Sequence, residues 1–120
     1  MHMVYVGLGS NLNEPVNQIK KALKCLNELP EVAVIKASNL YENPPFGPIE
    51  QPSFVNAVAQ IETSLEPLAL LKKLQAIELT MGRVKTVKWG PRVIDIDILL
   101  YDNLEMQEKD LSIPHPGLQE

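Results

Sequence analysis

The chain has 120 residues, 45% hydrophobic and 22% charged. That composition suits one folded domain and excludes both a second independent core and extensive disorder. Eleven basic residues against fifteen acidic ones leave a formal net charge of −4, which counts against a general nucleic-acid binder. In chain order, residues 4–8 (VYVGL) predict a short strand, stopped by the small polar run Gly9-Ser10-Asn11. Asn13 is placed to cap a helix carrying Glu14 and Pro15 in its first turn. Ile19, Ala22, Leu23, Leu26 and Leu29 follow at helical spacing as its core stripe, and Pro30 ends it. Cys25, the single cysteine, falls inside this pattern. It can form neither an internal disulfide nor a CxxC zinc site and reads as a small core residue.

Residues 32–41 (VAVIKASNLY) predict a second strand, and 42–52 (ENPPFGPIEQP) a loop. Its four prolines restrict the shape of that loop, so it can form the wall of a pocket. Residues 53–62 alternate, with Phe54, Asn56, Val58 and Gln60 on one face and Val55, Ala57, Ala59 and Ile61 on the other. Thr63 or Ser64 is placed to cap a second helix with Pro67 in its first turn. Its stripe is Leu70, Leu71, Leu74, Ile77 and Met81, and Gly82 is its stop. A basic stretch over 83–92 leads into a strand over 93–101. Asp102-Asn103 then turns into a weaker strand ending near Ile113. The order predicts a two-layer α+β sandwich with a mainly antiparallel sheet and its helices on one face, as a single domain over 1–120. No apolar run reaches the ~20 residues that cross a bilayer, and MHMVYVGLGS lacks the basic-then-apolar order of a signal peptide. A cytoplasmic protein without membrane or nucleic-acid partners is the expectation.

The chemistry concentrates in KWGPRVIDIDILL at 88–100. On a strand, Asp95 and Asp97 share one face, while Ile94, Ile96, Ile98 and Leu100 take the other. Two like charges side by side resist ionisation unless compensated, and hard divalent cations such as Mg²⁺ provide that compensation through carboxylate oxygens. A DxD pair alone is more often a solvated surface. Here Arg83, Lys85, Lys88 and Arg92 place four of the eleven basic residues within ten positions immediately before the acids. A basic loop beside paired carboxylates is what polyphosphate chemistry requires. Gly7-Leu8-Gly9-Ser10-Asn11 lacks the lysine and spacing of a P-loop and reads as a strand-to-helix turn needing close backbone approach. No Ser/His/Asp or Cys/His set is present to argue covalent catalysis.

Taken together, GLGSNL at 7–12, SNLYENPPFG at 38–47, QPSFVNAV at 51–58, GRV at 82–84, KWGPRVIDIDILLY at 88–101 and LSIPHP at 111–116 resemble the 6-hydroxymethyl-7,8-dihydropterin pyrophosphokinases of folate biosynthesis. The resemblance spans nearly the whole chain and implies a ferredoxin-like fold. It also implies transfer of pyrophosphate from ATP to the pterin hydroxymethyl group, by a monomer that uses two Mg²⁺ ions. Carried over by position, Asp95 and Asp97 hold the metals, and Arg83 and Arg92 anchor the phosphates. Gln75, Lys85, Trp89, Ile98, Ser112 and His115 match ATP contacts. Asn43, Pro44, Phe46, Phe54 and Asn56 match the pterin pocket, where Phe54 can stack on the ring and Asn56 can use both amide groups on its edge.

The chain departs from the family pattern in three places. Lys85 stands where an arginine is frequent, in a loop one residue shorter, and keeps the charge without the bidentate fork. Asp110 lies near a position that is basic in some members. Members also continue past PHP with an arginine, a phenylalanine covering the second pterin face and a helical segment, and the chain is expected to lack these. Two other classes fit the coarse pattern. A non-catalytic ferredoxin-like module would not need the basic loop beside two acids. A nucleic-acid-binding sheet would need surface aromatics and a basic face.

Overall fold

A computed structural model of the chain describes residues 1–44, 47, 50–82 and 91–116. The elements run β1 (His2–Ser10), α1 (Pro15–Glu28), β2 (Val32–Ala37), β3 (Tyr41–Asn43), β4 (Phe54–Thr63), α2 (Pro67–Thr80), β5 (Asp95–Tyr101), β6 (Met106–Gln107) and β7 (Ser112–Ile113). The main sheet has the order β2-β4-β1-β5, with β3 added against β4, and every pairing is antiparallel. β6 and β7 form a separate ribbon. Two β-α-β units, each split by a strand of the other, account for that order. Together with the helices they form the α+β, ferredoxin-like sandwich expected from the sequence.

Period-two patterning divides the sheet's faces. Val4, Val6 and Leu8 of β1, Ala57, Ala59 and Ile61 of β4, and Ile96 and Ile98 of β5 are buried with Ile94 against Ile19, Ala22 and Leu26 of α1 and Leu70, Leu74 and Ile77 of α2. The alternate residues, including Phe54, Asn56, Val58 and Gln60, lie on the other face and are half-buried. Burying those aliphatic side chains is the main drive for the fold. Cys25 packs half-buried at the margin of this core.

Several local expectations need correction. Glu14, not Asn13, occupies the N-cap of α1, with φ 63° and no side-chain cap; Asn13 also has positive φ, because the chain must reverse sharply from β1 into the helix. Glu66, rather than Thr63 or Ser64, is the N-cap of α2. Thr63 is instead buried at the end of β4, where its hydroxyl donates to the Glu31 carbonyl at 2.8 Å and accepts from the Leu65 amide at 3.1 Å. Both helices start on proline without a side-chain cap: the fixed φ suits the first turn, and one fewer amide is left to satisfy. The strand expected over 32–41 is two, β2 and β3. Between them Ser38 breaks the register, its backbone N–H bonding the Val58 carbonyl and its hydroxyl taking the Val58 N–H. β5 begins at Asp95, two residues later than expected. Gly7 and Gly9 lie within β1, not in a turn, although the close approach inferred for them is real.

Candidate active site

The site lies on the sheet face away from the helices, at the end where β1 finishes and β4 and β5 begin. β1 is flanked by both. Gly9 pairs with Asn56 on one side and Asp95 on the other, and Gly7 pairs with Val58 and Asp97. Directly opposed residues in an antiparallel sheet project to the same face, so two rows cross the sheet, Asn56–Gly9–Asp95 and Val58–Gly7–Asp97. The outer strands are two spacings, about 10 Å, apart. Glycine in the middle of each row adds no side chain of its own, leaving a shallow trough that the Asn56 amide borders at Gly9 and the Leu99 side chain fills at Gly7. The space at Gly9 is tight: a β-carbon there would lie 2.9 Å from Asn56 Oδ1 and 3.9 Å from the Phe54 ring. At Gly7 it would meet the Leu99 side chain at 3.3 Å.

One wall of the trough carries Phe54 and Asn56. Asn43 on β3 pairs with Phe54, and Tyr41 with Asn56, so Asn43 and the following Pro44 sit exposed beside the aromatic ring. Phe54 offers a flat face and Asn56 both a donor and an acceptor. The other wall carries Asp95 and Asp97. Arg92 Nε approaches Asp95 Oδ1 at 3.7 Å, while Asp97 is exposed. Among the described residues no group of three or more carboxylate, histidine or cysteine side chains is arranged to hold a metal ion by itself. Two hard carboxylates beside an open trough match Mg²⁺, which completes its shell with water and phosphate oxygens.

Beyond the carboxylates, a cavity of about 250 Å³ is lined by residues that include Asp97, Ile98, Leu71, Lys109, Ser112 and His115. A second, of about 560 Å³, shares Ser112 and His115 and extends along β6. His115 is held there by its backbone N–H, which donates to the Leu99 carbonyl at 2.9 Å. Three of the positions matched to ATP contacts, Ile98, Ser112 and His115, are thus gathered beside Asp97. Gln75 is exposed on α2, one turn along from Leu71, and lines neither cavity. Arg83, Lys85, Trp89 and Phe46 lie outside the described residues.

Two polar residues to which the motif analysis assigned no role shape this region. Glu78 of α2 is buried, and its carboxylate accepts the Ile96 N–H at 2.8 Å. Ile96 sits between the two aspartates on a strand that, among the described residues, pairs with the main sheet through β1, and Glu78 satisfies its amide from the side away from β1. The signal was legible: a charged residue one position after Ile77, on the apolar stripe of the helix. Asn11 is the second, buried in GLGSNL where it read as part of a turn.

Comparison with known proteins agrees with the motif reading. The sequence model described as 7,8-dihydro-6-hydroxymethylpterin-pyrophosphokinase matches residues 5–120. A 2-amino-4-hydroxy-6-hydroxymethyldihydropteridine pyrophosphokinase of Haemophilus influenzae is 50% identical over 115 residues, covering 96% of this chain and 72% of the relative. A protein of the same name from Pseudomonas aeruginosa is 50% identical over 116 residues, covering 97% and 72%. Another, from Pseudomonas putida, is 44% identical over 111 residues, covering 92% of each. The chain therefore belongs to the 7,8-dihydro-6-hydroxymethylpterin-pyrophosphokinase family.

Proposed function

We propose that this chain transfers pyrophosphate from ATP to the hydroxymethyl group of 6-hydroxymethyl-7,8-dihydropterin, releasing AMP, with the acceptor against the Phe54–Asn56 wall and the polyphosphate at the Asp95–Asp97 wall. The observation that carries this reading is the row Asn56–Gly9–Asp95, in which the strand bearing Phe54 and Asn56 faces the strand bearing Asp95 and Asp97 across a glycine. Phe54 stacks on the pterin and the Asn56 amide reads its edge, which aims the hydroxymethyl group over the glycines. Ser112 and His115 bound the cavity that takes the nucleotide. Arg92, on the segment entering β5, supplies positive charge where negative charge accumulates on the phosphates.

In the reaction the acceptor oxygen forms a bond to the β-phosphorus. The bond from that phosphorus to the bridging oxygen of the α-phosphate breaks, AMP leaves with the electron pair, and the hydroxyl proton goes to solvent. Asp95 and Asp97 would hold two Mg²⁺ ions. When bound, these supply charge neutralisation on the phosphates and acidify the acceptor hydroxyl. Most of the acceleration assigned to the protein's own groups is positioning, since both substrates are held in line across the trough. The same reading has a single domain acting as a monomer in the cytoplasm. The test is incubation with MgATP and the pterin. AMP formation that depends on the pterin and is abolished by chelating the metal is expected. Pterin binding without AMP release would instead indicate a non-catalytic relative.

A further inference from the structure

We infer that Asn11 is a positioning residue that yokes the two walls of the cleft, setting the acceptor seat relative to the carboxylates. Asn11 is the first residue beyond the central strand β1 and is only 2% exposed. Its backbone N–H donates to the Arg92 carbonyl at 3.0 Å, and its Oδ1 accepts the Arg92 N–H at 2.8 Å. The two hydrogens on Nδ2 go the other way, to Gln51 Oε1 at 2.8 Å and to the Pro52 carbonyl at 3.0 Å. Both amide hydrogens are used, and the orientation of the group is set by its partners, with donors facing oxygens and the acceptor facing an N–H.

The placement gives these four bonds their meaning. Pro52 lies two residues before Phe54, and Arg92 three before Asp95. The ladder pairs Ser10↔Val55 and Gly9↔Asp95 close the sheet at this end. Asn11 continues the linkage beyond them, joining the segment that enters the ring-recognition wall to the one that enters the carboxylate wall. A buried carboxamide is the one side chain of this length that donates twice and accepts at once. Leucine offers none of these contacts, and aspartate offers only the acceptor. In-line transfer depends on registry between the two substrates at the sub-ångström level, and this residue sets that registry without touching either. The inference rests on the wall assignments above.

Asn11→Asp keeps the oxygen that faces Arg92 and replaces the amide nitrogen with an oxygen that cannot donate to Gln51 Oε1 or the Pro52 carbonyl, disrupting the side of the bridge toward residues 51 and 52. Gln51→Met weakens the same link from the other side, and Gln51→Glu keeps the acceptor oxygen. For each, the measurements are affinity for a non-hydrolysable MgATP analogue, pterin affinity of the nucleotide-loaded chain, single-turnover rate, and amide exchange over 51–56 and 92–97. Asn11→Asp and Gln51→Met should leave nucleotide affinity within about three-fold while pterin affinity and turnover each fall at least about ten-fold, the scale of a misplaced reacting group. Faster exchange should be confined to 51–56, and Gln51→Glu should retain parental behaviour. Equal losses for both ligands, with faster exchange on both segments, would mean a merely structural role and overturn the inference. So would parental behaviour in Asn11→Asp. If the parent itself shows no pterin-dependent AMP release, the functional reading fails separately. Exchange then still decides the yoke: confinement to 51–56 supports it, and no change refutes it.

Discussion

The two ends of β5 use carboxylates in opposite ways. Asp102, just past its last residue, accepts the Met3 N–H at 2.7 Å and bonds His2 Nδ1 at 2.8 Å. The backbone bond from Met3, followed by the His2 ring, holds its carboxyl below the usual range. The adjoining Tyr101 is 3% exposed, donates its hydroxyl to the Leu65 carbonyl and lies 4.9 Å, ring to ring, from His2. This corner ties the chain's first strand to its neighbours. At the strand's start, Asp95 and Asp97 face glycines across the sheet, with Arg92 nearby. One end closes the fold, while the other presents Asp97 at the surface of the sheet face that the helices leave uncovered.

The strongest challenge to this contrast is Asp97→Ala. Turnover should fall by about a hundred-fold or more, as when a charge-stabilising group is removed from a transition state. The melting temperature should stay near the parent's, because Asp97 is exposed. Near-normal activity in Mg²⁺ would refute the role of the carboxylate wall. Gly9→Ala comes next. Its β-carbon would displace the Asn56 amide, so pterin affinity should weaken about ten-fold, equivalent to 1.4 kcal/mol. Gly7→Ala, meeting only a flexible Leu99 side chain, should be nearly neutral and up to about 1 kcal/mol more stable. Equal effects at the two glycines would mean that the Asn56 amide beside Gly9 does not set the acceptor seat.

At the closed end the effects fall on stability and not on turnover. Burial first, then the charges of Glu66 and Asp102, push the Tyr101 hydroxyl up to about 12. The unfolded chain releases that proton near 10.0. The stabilisation is therefore complete below pH 10 and is lost as pH rises toward 12. Denaturant titrations of the parent and Tyr101→Phe should show the parent losing on the order of 2 kcal/mol more across that window. A small, pH-dependent effect on stability is expected of Asp102→Ala. A lowered native carboxyl stabilises the fold above its ordinary value of 3.8 and loses that contribution as pH falls through the native value. The difference in urea midpoint between parent and variant should thus shrink below pH 4, with turnover at neutral pH unchanged in Asp102→Ala.

The sequence alone put Asp95 with Asp97 and Phe54 with Asn56 on shared strand faces and marked the helix stripes, because period two and period 3.6 are local properties. Leu100, expected in the core with Ile98, is exposed because a bulge at residue 99 shifts the alternation. The motif reading placed Ser112 and His115 with the nucleotide only by resemblance; the cavity they share with Asp97 comes from the return of β7 beside β5. It misplaced the helix starts because neither helix uses a side-chain cap: each begins on a proline whose fixed φ suits the first turn, α1 directly after positive φ at Asn13 and Glu14. The fold class, the face on which Asp95 and Asp97 lie and the family were all written in the linear order of residues. Which residue stands opposite which was not. Strand register is set by packing over the whole sheet, so the alignment of Gly9 between Asn56 and Asp95, the capture of the Ile96 amide by Glu78 and the bridge made by Asn11 existed only once four segments distant in sequence had been brought side by side.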